Sequence, residues 1–252
     1  MSYVARGVSG FFEYAGRMAA MLGASAYHAC RMAVEVPATV YHMSVMGLNS
    51  LPIVLLVTSF TGMMLSLQVT RQAMRFGTMR YVGGVVAIVM VRELVPVLTS
   101  VVMAGRVGSA IASELGSMKV TDQIDALRSL ATDPVQYLVT PRLVALATMV
   151  PLVTVFSGYV SMGAAYLVAH YVGGITPAVF LYAVPFFVKP WDIFGAIAKS
   201  FVFAVTVGLV GCCEGMRTVG GAQGVGRATI NAVVISMVLI FAFNYFLSLL
   251  LF

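Results

Sequence analysis

Charge is what this chain has least of. Only 10% of its 252 residues are Asp, Glu, Lys or Arg, and nine of those are acidic. Soluble domains carry about 25%, and 60% of this chain is hydrophobic, with a mean hydropathy of +0.98. A water-soluble fold of this length has no interior large enough for so much apolar surface, so its solvent is largely lipid. Cysteine is also scarce. Cys30, Cys212 and Cys213 offer neither a disulfide framework nor the spacing of a metal site. They read as small apolar residues. The three histidines, His28, His42 and His170, are dispersed. With so few acids, this argues against a membrane-embedded lipid enzyme and against any metal centre. A secretory leader is not expected, because Arg6, Glu13 and Arg17 interrupt any apolar h-region.

The charges that are present mark the edges of apolar runs. None occurs between Glu35 and Arg71, between Arg142 and Lys189, between Lys199 and Glu214, or after Arg227. Each gap holds all or most of the roughly 20 residues that a spanning helix needs. The runs are continuous, unlike the alternating strands of a β-barrel. The net charge of +6 comes from 15 scattered basic residues. That is the pattern of membrane anchors rather than of a nucleic-acid-binding arm.

These features predict an all-α integral membrane protein with five spans, over about 49–70, 82–105, 143–171, 193–213 and 229–252. The remaining pieces are an interfacial segment, residues 1–45, and a polar segment, 119–142, within a single permease domain, 46–252. Residues 1–35 read as an amphipathic helix. Phe11, Phe12, Ala15, Met18, Ala19 and Leu22 recur at helical spacing, with Glu13 and Arg17 on the other face. A Gly-Gly turn at 173–174 precedes a short apolar piece, Pro177–Val188. Most loop Lys and Arg fall on the side that holds the N-terminus, which places that end inside and the C-terminus outside; Arg71, Arg75 and Arg80 run against this. No internal repeat is evident. Five spans are few for a translocation path, so a homodimer enclosing one is expected.

Three features crowd into residues 92–142. The first is the intramembrane pair Arg92–Glu93, whose neighbouring side chains point about 100° apart on a helix. Charges at such depth face a bundle interior or a watery cavity. Pro96 removes the amide that would bond the Arg92 carbonyl and permits a kink. Lys199 is the natural partner for Glu93, and Asn244 is a further polar candidate for the same cavity. The second feature is a ribbon of small residues, Ala104, Gly108, Ala112 and Gly116, flanked by Gly105, Ser109, Ser113 and Ser117. Such a ribbon lets helices approach closely, within or between subunits. The third is the polar segment. Thr121 is positioned to cap a helix starting at Asp122, with Asp125 and Arg128 among its charges and Ile124, Leu127 and Leu130 as one apolar stripe. Asp133 and Pro134 repeat the start signal, and Pro141 does so again before the third span. The layout suits either a knob offered to a soluble partner or an ordered connecting loop.

The stretch GGAQGVGRAT at 220–229 superficially resembles a phosphate loop. However, Arg227 and Ala228 stand where lysine and Ser/Thr are required, so no nucleotide is expected to bind this chain.

The run from Arg92 to Arg142 closely resembles the MlaE/YrbE permeases, the membrane subunits of MCE-associated ABC transporters. The matching pieces are RELVPVLTS (92–100), AGRVGSAIASELGSM (104–118), DQIDALRSLATDPVQYLVTPR (122–142) and KSFVFA (199–204). GLVGCCEG (208–215) and GVGRATINAVV (224–234) also look like family elements. The resemblance implies a homodimer in the bacterial inner membrane that carries two copies of a cytoplasmic ABC ATPase, where ATP and Mg²⁺ bind. It also implies a periplasmic MCE-domain partner and a phospholipid or other hydrophobic substrate. On the same ground, the segment between spans two and three, including Thr121–Pro134, is a coupling helix seated in the ATPase, and Glu93 and Lys199 line the central cavity. Family members often have an acid where this chain has Asn244. The alternatives from the residues alone are an energy-independent lipid scramblase or channel and a membrane-embedded lipid-modifying enzyme.

Overall fold

A computed structural model describes residues 2–31 and 35–252, with side chains from Glu13 onward apart from Cys30. The expected apolar contribution of Phe11 and Phe12, the charge of Arg6 and the environment of Cys30 therefore lie outside the described residues. Helix α1 (Ser2–Cys30) is followed by five helices long and apolar enough to cross a membrane: α2 (Val36–Phe76), α3 (Met79–Val120), α5 (Val135–Gly173), α7 (Pro190–Met216) and α8 (Gly221–Leu251). Two short helices complete the chain, α4 (Gln123–Ser129) and α6 (Pro177–Phe187). No strand occurs among the described residues.

Several boundaries differ from the sequence expectation. The first spanning helix begins at Val36, next to Glu35 in extended conformation, with proline in its first turn. The stretch expected to be interfacial, 1–45, therefore overlaps the first long helix, which starts at Val36 rather than near 49. The Asn49–Pro52 signal marks an irregularity inside α2 instead: a π-helical turn, Met43–Gly47, leads through a 3₁₀ turn, Leu48–Ser50, into the regular helix. The change of winding accommodates the missing Pro52 amide. The third span also starts earlier. Asp133 Oδ1 accepts the Val135 amide at 2.9 Å, and a π-helical turn, Val135–Val139, runs unbroken into α5. Pro141 follows directly on that π-helical turn within one continuous helix, so it does not begin a separate one.

Helix ends follow backbone chemistry. Gly77 (φ 68°) and Gly174 (φ 63°) terminate α2 and α5 in the left-handed conformation, which glycine adopts freely. The helices alternate in direction. One face of the bundle therefore carries α1, α4 and the α7–α8 turn, and the opposite face carries α6 and both chain turns next to it.

Packing relies on close backbone approach, the means available where lipid supplies no hydrophobic drive. Along α2 and α5, the Ser66 hydroxyl donates to the Ala165 carbonyl at 2.6 Å, and a Cβ on Gly62 would lie 2.7 Å from the Ser161 oxygen. The ribbon on α3 packs within the chain, against α7. A Cβ on Gly211 would meet the Gly108 oxygen at 2.9 Å, one on Gly215 the Ala112 oxygen at 3.0 Å, and one on Gly116 the Thr218 hydroxyl at 2.8 Å. Ala104 and Ala112 are fully buried, the first against Phe203 and Ile240 and the second against Val210 and Ala232. The flanking row stays open: a Cβ on Gly105 would meet nothing within 4 Å. Helix α6 does not span. It lies against the start of α3, where a Cβ on Gly83 would sit 2.1 Å from the Phe180 oxygen.

That last contact leaves no room for a methyl group. Gly83→Ala should cost about 1–3 kcal/mol through forced separation of α3 and α6, while Gly163→Ala, with open space around it, should be neutral or slightly stabilising. Thermal unfolding of the two variants in detergent checks this; equal melting temperatures would contradict it.

Candidate functional site

The sequence-predicted polar residues Arg92, Glu93, Lys199 and Asn244 come together in one cluster, and the reason begins with Pro96. Proline has no amide to give the Arg92 carbonyl. The chain winds through a π-helical turn at Met90–Leu94, closed by the Val95 amide to the Met90 oxygen. The freed Arg92 carbonyl accepts a hydrogen bond from Lys199 Nζ at 2.7 Å. That ammonium is completely buried and also reaches Glu93 Oε1 at 2.9 Å and the Ser248 hydroxyl at 2.8 Å. All three of its donors are thereby used.

Glu93 is the hub. Its Oε1 also accepts the Ser248 hydroxyl at 2.8 Å, and its Oε2 accepts Asn244 Nδ2 at 2.8 Å. One carboxylate thus ties α3 to α7 and α8. Arg92 points elsewhere, as the 100° step requires, and pairs with Asp192 through Nε at 2.9 Å and a terminal nitrogen at 2.8 Å. Asp192 is 1% exposed and fixes the start of α7 by accepting the Lys189 amide at 2.7 Å. The Phe252 ring lies under both cations, 4.6 Å from the Arg92 guanidinium carbon and 4.9 Å from Lys199 Nζ. It fits a notch left by Gly195, where a Cβ would come within 2.6 Å of it. Asp192, Ser248 and Phe252 were not anticipated from the sequence. The signal for Ser248 was its position one helical turn beyond Asn244.

The cluster is graded in exposure. Lys199 is sealed, but the side chains of Glu93 and Arg92 remain 40% and 35% exposed. Asn244 Oδ1 is buried with no partner among the described residues. The charged edge therefore opens onto the surface of α3 and α8. Lys199 lies nine residues into α7, about 14 Å from its start, so this edge sits well inside the apolar length of the bundle.

The second group of predicted residues lies on the opposite face. Asp125 binds Lys119 at 2.6 Å and Arg128 at 3.1 Å. The Lys119 hydrogen bond, more than any other influence, holds the Asp125 carboxyl below the ordinary carboxylate range, so it is ionised at neutral pH. Two expectations are corrected here. Thr121 does not cap α4: its hydroxyl donates back to the Ser117 carbonyl at 2.9 Å, and Asp122, in left-handed conformation (φ 58°), occupies the cap position without a side-chain cap bond. The stripe Ile124–Leu127–Leu130 also divides. Ile124 is buried and Leu127 packs partly against the same apolar cluster, while Leu130 is 74% exposed. The helix ends at Leu130, where Ala131 turns left-handed (φ 57°) and the Thr132 amide returns to the Leu127 carbonyl at 3.1 Å. Pro134 is buried beneath this turn. Asp133 also faces His28 of α1 at 3.3 Å, which links that helix to the segment. Behind it, Arg142 is buried and bonds Glu114 at 2.7 Å.

Comparison with known proteins fits this two-ended arrangement. The Permease MlaE family matches residues 39–250, a stretch that contains both the cluster and the α4 segment. The chain belongs to the MlaE permease family. Among relatives of this MlaE-family chain, a probable ABC transporter permease protein of Synechocystis sp. is 44% identical over 85% of this chain and 81% of its own length. The chloroplastic protein TRIGALACTOSYLDIACYLGLYCEROL 1 of Arabidopsis thaliana is 43% identical over 80% of this chain and 58% of its own length. A probable ABC transporter permease protein of Rickettsia prowazekii is 37% identical over 80% and 78%. The chain is thus a multi-pass membrane permease with a role in transport.

Within this MlaE-family bundle, Lys199 cannot be removed alone. Lys199→Met leaves Glu93 partly uncompensated and should cost about 3–5 kcal/mol, as breaking a buried pair does. Adding Glu93→Gln should restore most of that loss. Melting temperatures of the single and double variants decide it: a double variant no more stable than the single would refute the pairing.

Proposed function

We propose that this chain is the membrane subunit of an ABC transporter that moves phospholipid, or another hydrophobic substrate, between membranes, with ATP and Mg²⁺ bound only by a separate ATPase chain. The observation that carries this reading is the half-open charge cluster. Fixed cations and a carboxylate at depth in an apolar bundle give a zwitterionic or anionic head group somewhere to go, while its acyl chains lie on apolar helix surfaces. Burying such charges costs several kcal/mol, and a purely structural pair would be sealed on both members. Here one edge of the cluster is exposed.

The working unit is a homodimer. Helix α8 buries little of itself within the chain, and the open row Gly105, Ser109, Ser113 and Ser117 runs beside it on α3. Together these form a surface suited to close approach by a second copy. Two charged edges would then face one shared cavity. The relatives' description as ABC permeases supports an ATPase partner. The MCE-domain partner, the bacterial inner membrane and a periplasmic C-terminus rest on the family resemblance and on the basic residues of the α4 face.

Helix α4 would receive the ATPase stroke. Its apolar residues Ile124 and Leu127 anchor it to the bundle, so a push on α4 is delivered directly to the ends of α3 and α5. The surface offered to the partner is the other one, Ala126, Arg128 and Leu130. Leu130→Asp with Arg128→Glu should abolish transport-linked ATP hydrolysis at an unchanged melting temperature, whereas Leu127→Asp should lower the melting temperature itself. ATPase assays on the reconstituted complex check this. Full coupling in the Leu130/Arg128 variant would overturn the assignment. Lipid movement by the isolated chain without an ATPase would favour the scramblase alternative.

A further inference from the structure

On the α4 face, far from the charge cluster, a groove of about 980 Å³ runs between α1 and α8. Neither the charge cluster nor helix α4 takes part in it. Its two ends differ in chemistry. At the helix turn it is lined by Arg217, Arg227 and Asn231, all exposed. Arg217 stands over the Tyr14 ring at 5.4 Å. Neither arginine is among the ion pairs formed by the described residues. Glu214 is the one acid lining the groove, and it is nearly buried, so the accessible end is cationic. Further along α8 the lining becomes purely apolar, through Val234, Val238 and Phe243.

From Arg227 to Phe243 the helix rises about 24 Å. A groove of that length with a cationic mouth and an apolar run is matched by an acyl chain ending in an anionic head group. A soluble anion would leave the apolar run empty. A neutral lipid would leave two arginines without counter-charge. The opposite wall is supplied by Tyr14, Ala15 and Met18 of the interfacial helix, at the level where the head groups of the adjoining leaflet lie. We infer that this groove binds one phospholipid with an anionic head group from the leaflet on the α4 side, its phosphate held by Arg217 and Arg227 and one acyl chain laid along α8. The site differs from the outer cluster in position and in charge: the cluster pairs its cations with the Glu93 and Asp192 carboxylates, and the groove mouth offers two exposed guanidinium groups outside any ion pair.

The test is native mass spectrometry of the intact transporter complex released from nanodiscs of phosphatidylcholine doped with phosphatidylglycerol. The wild type should retain phosphatidylglycerol selectively. Arg217→Gln with Arg227→Gln should lower that selectivity about 25-fold, roughly fivefold for each arginine. Val238→Asn, on an exposed position, should weaken retention of both lipids while leaving the charge preference. Equal retention of the two lipids by the wild type, or unchanged selectivity in the double arginine variant, would overturn the assignment. So would displacement of the lipid by inorganic phosphate at comparable concentration. A disulfide between copies carrying Val238→Cys would show that a second chain fills the groove and would likewise overturn it. Because Leu130→Asp with Arg128→Glu leaves the groove intact, full coupling in that variant with lipid still selectively retained would be failure of the transport reading alone, and loss of coupling without selective retention would be failure of this one alone.

Discussion

The arrangement of the bundle depends on one buried ammonium. Lys199 sits where an unpaired charge would be intolerable, and three acceptors make it tolerable: the Arg92 carbonyl, the Glu93 carboxylate and the Ser248 hydroxyl. Each comes at the expense of something local. The carbonyl is available because Pro96 cannot bond it, the carboxylate is drawn inward through the π-helical turn, and the hydroxyl is taken from an otherwise apolar last helix. The result is that α3, α7 and α8 meet at one point, beside an apolar cluster of Val97, Phe203 and Ile240. Toward the α4 face, α3 and α7 also approach closely through Gly211 and Gly215 against the Gly108 and Ala112 oxygens. A polar pin at one end and a glycine seam along the rest describe a bundle that is located at the cluster and adjustable toward the α4 face.

That division suits a permease. Helix α4 is tied to the ends of α3 and α5 by Ile124 and Leu127, and to α1 by the His28–Asp133 contact. A displacement of α4 would therefore act on the seam before it reaches the pin. The exposed edge of the cluster, Glu93 together with Arg92 over the Phe252 ring, would respond last. It would then change its accessibility rather than its composition.

Much of this was legible in the sequence for identifiable reasons. The five spans follow from where charge is absent, and the Glu93–Lys199 partnership follows from the need of two buried charges for one another. The small-residue ribbon announced a packing face through its four-residue period, but the sequence did not say whether its partner lay in the same chain; the matching Gly211 and Gly215 of α7 settle that it does. Other features escaped because the local signal was ambiguous. Thr121 followed by Asp122 carries the chemistry of a cap, yet the backbone at Asp122 turns left-handed and the hydroxyl is better satisfied by the preceding turn. Leu130 continues the period of Ile124 and Leu127, but the helix ends there, so periodicity no longer determines which way it points. Pro141 resembled a helix start because proline at a first turn and proline after a π-helical turn look alike in one dimension. Asp192 and Phe252 were invisible because their partners, Arg92 and Gly195, are brought to them only by the tertiary fold.

The central claim is that the half-open cluster meets the lipid head group during transport. Site-specific photo-crosslinking tests it most directly, with a photoreactive residue in place of Phe252 in the complete, reconstituted complex. The account predicts phospholipid adducts at this position whose yield changes when ATP is supplied. Absence of phospholipid adducts, or a yield indifferent to ATP, would contradict it.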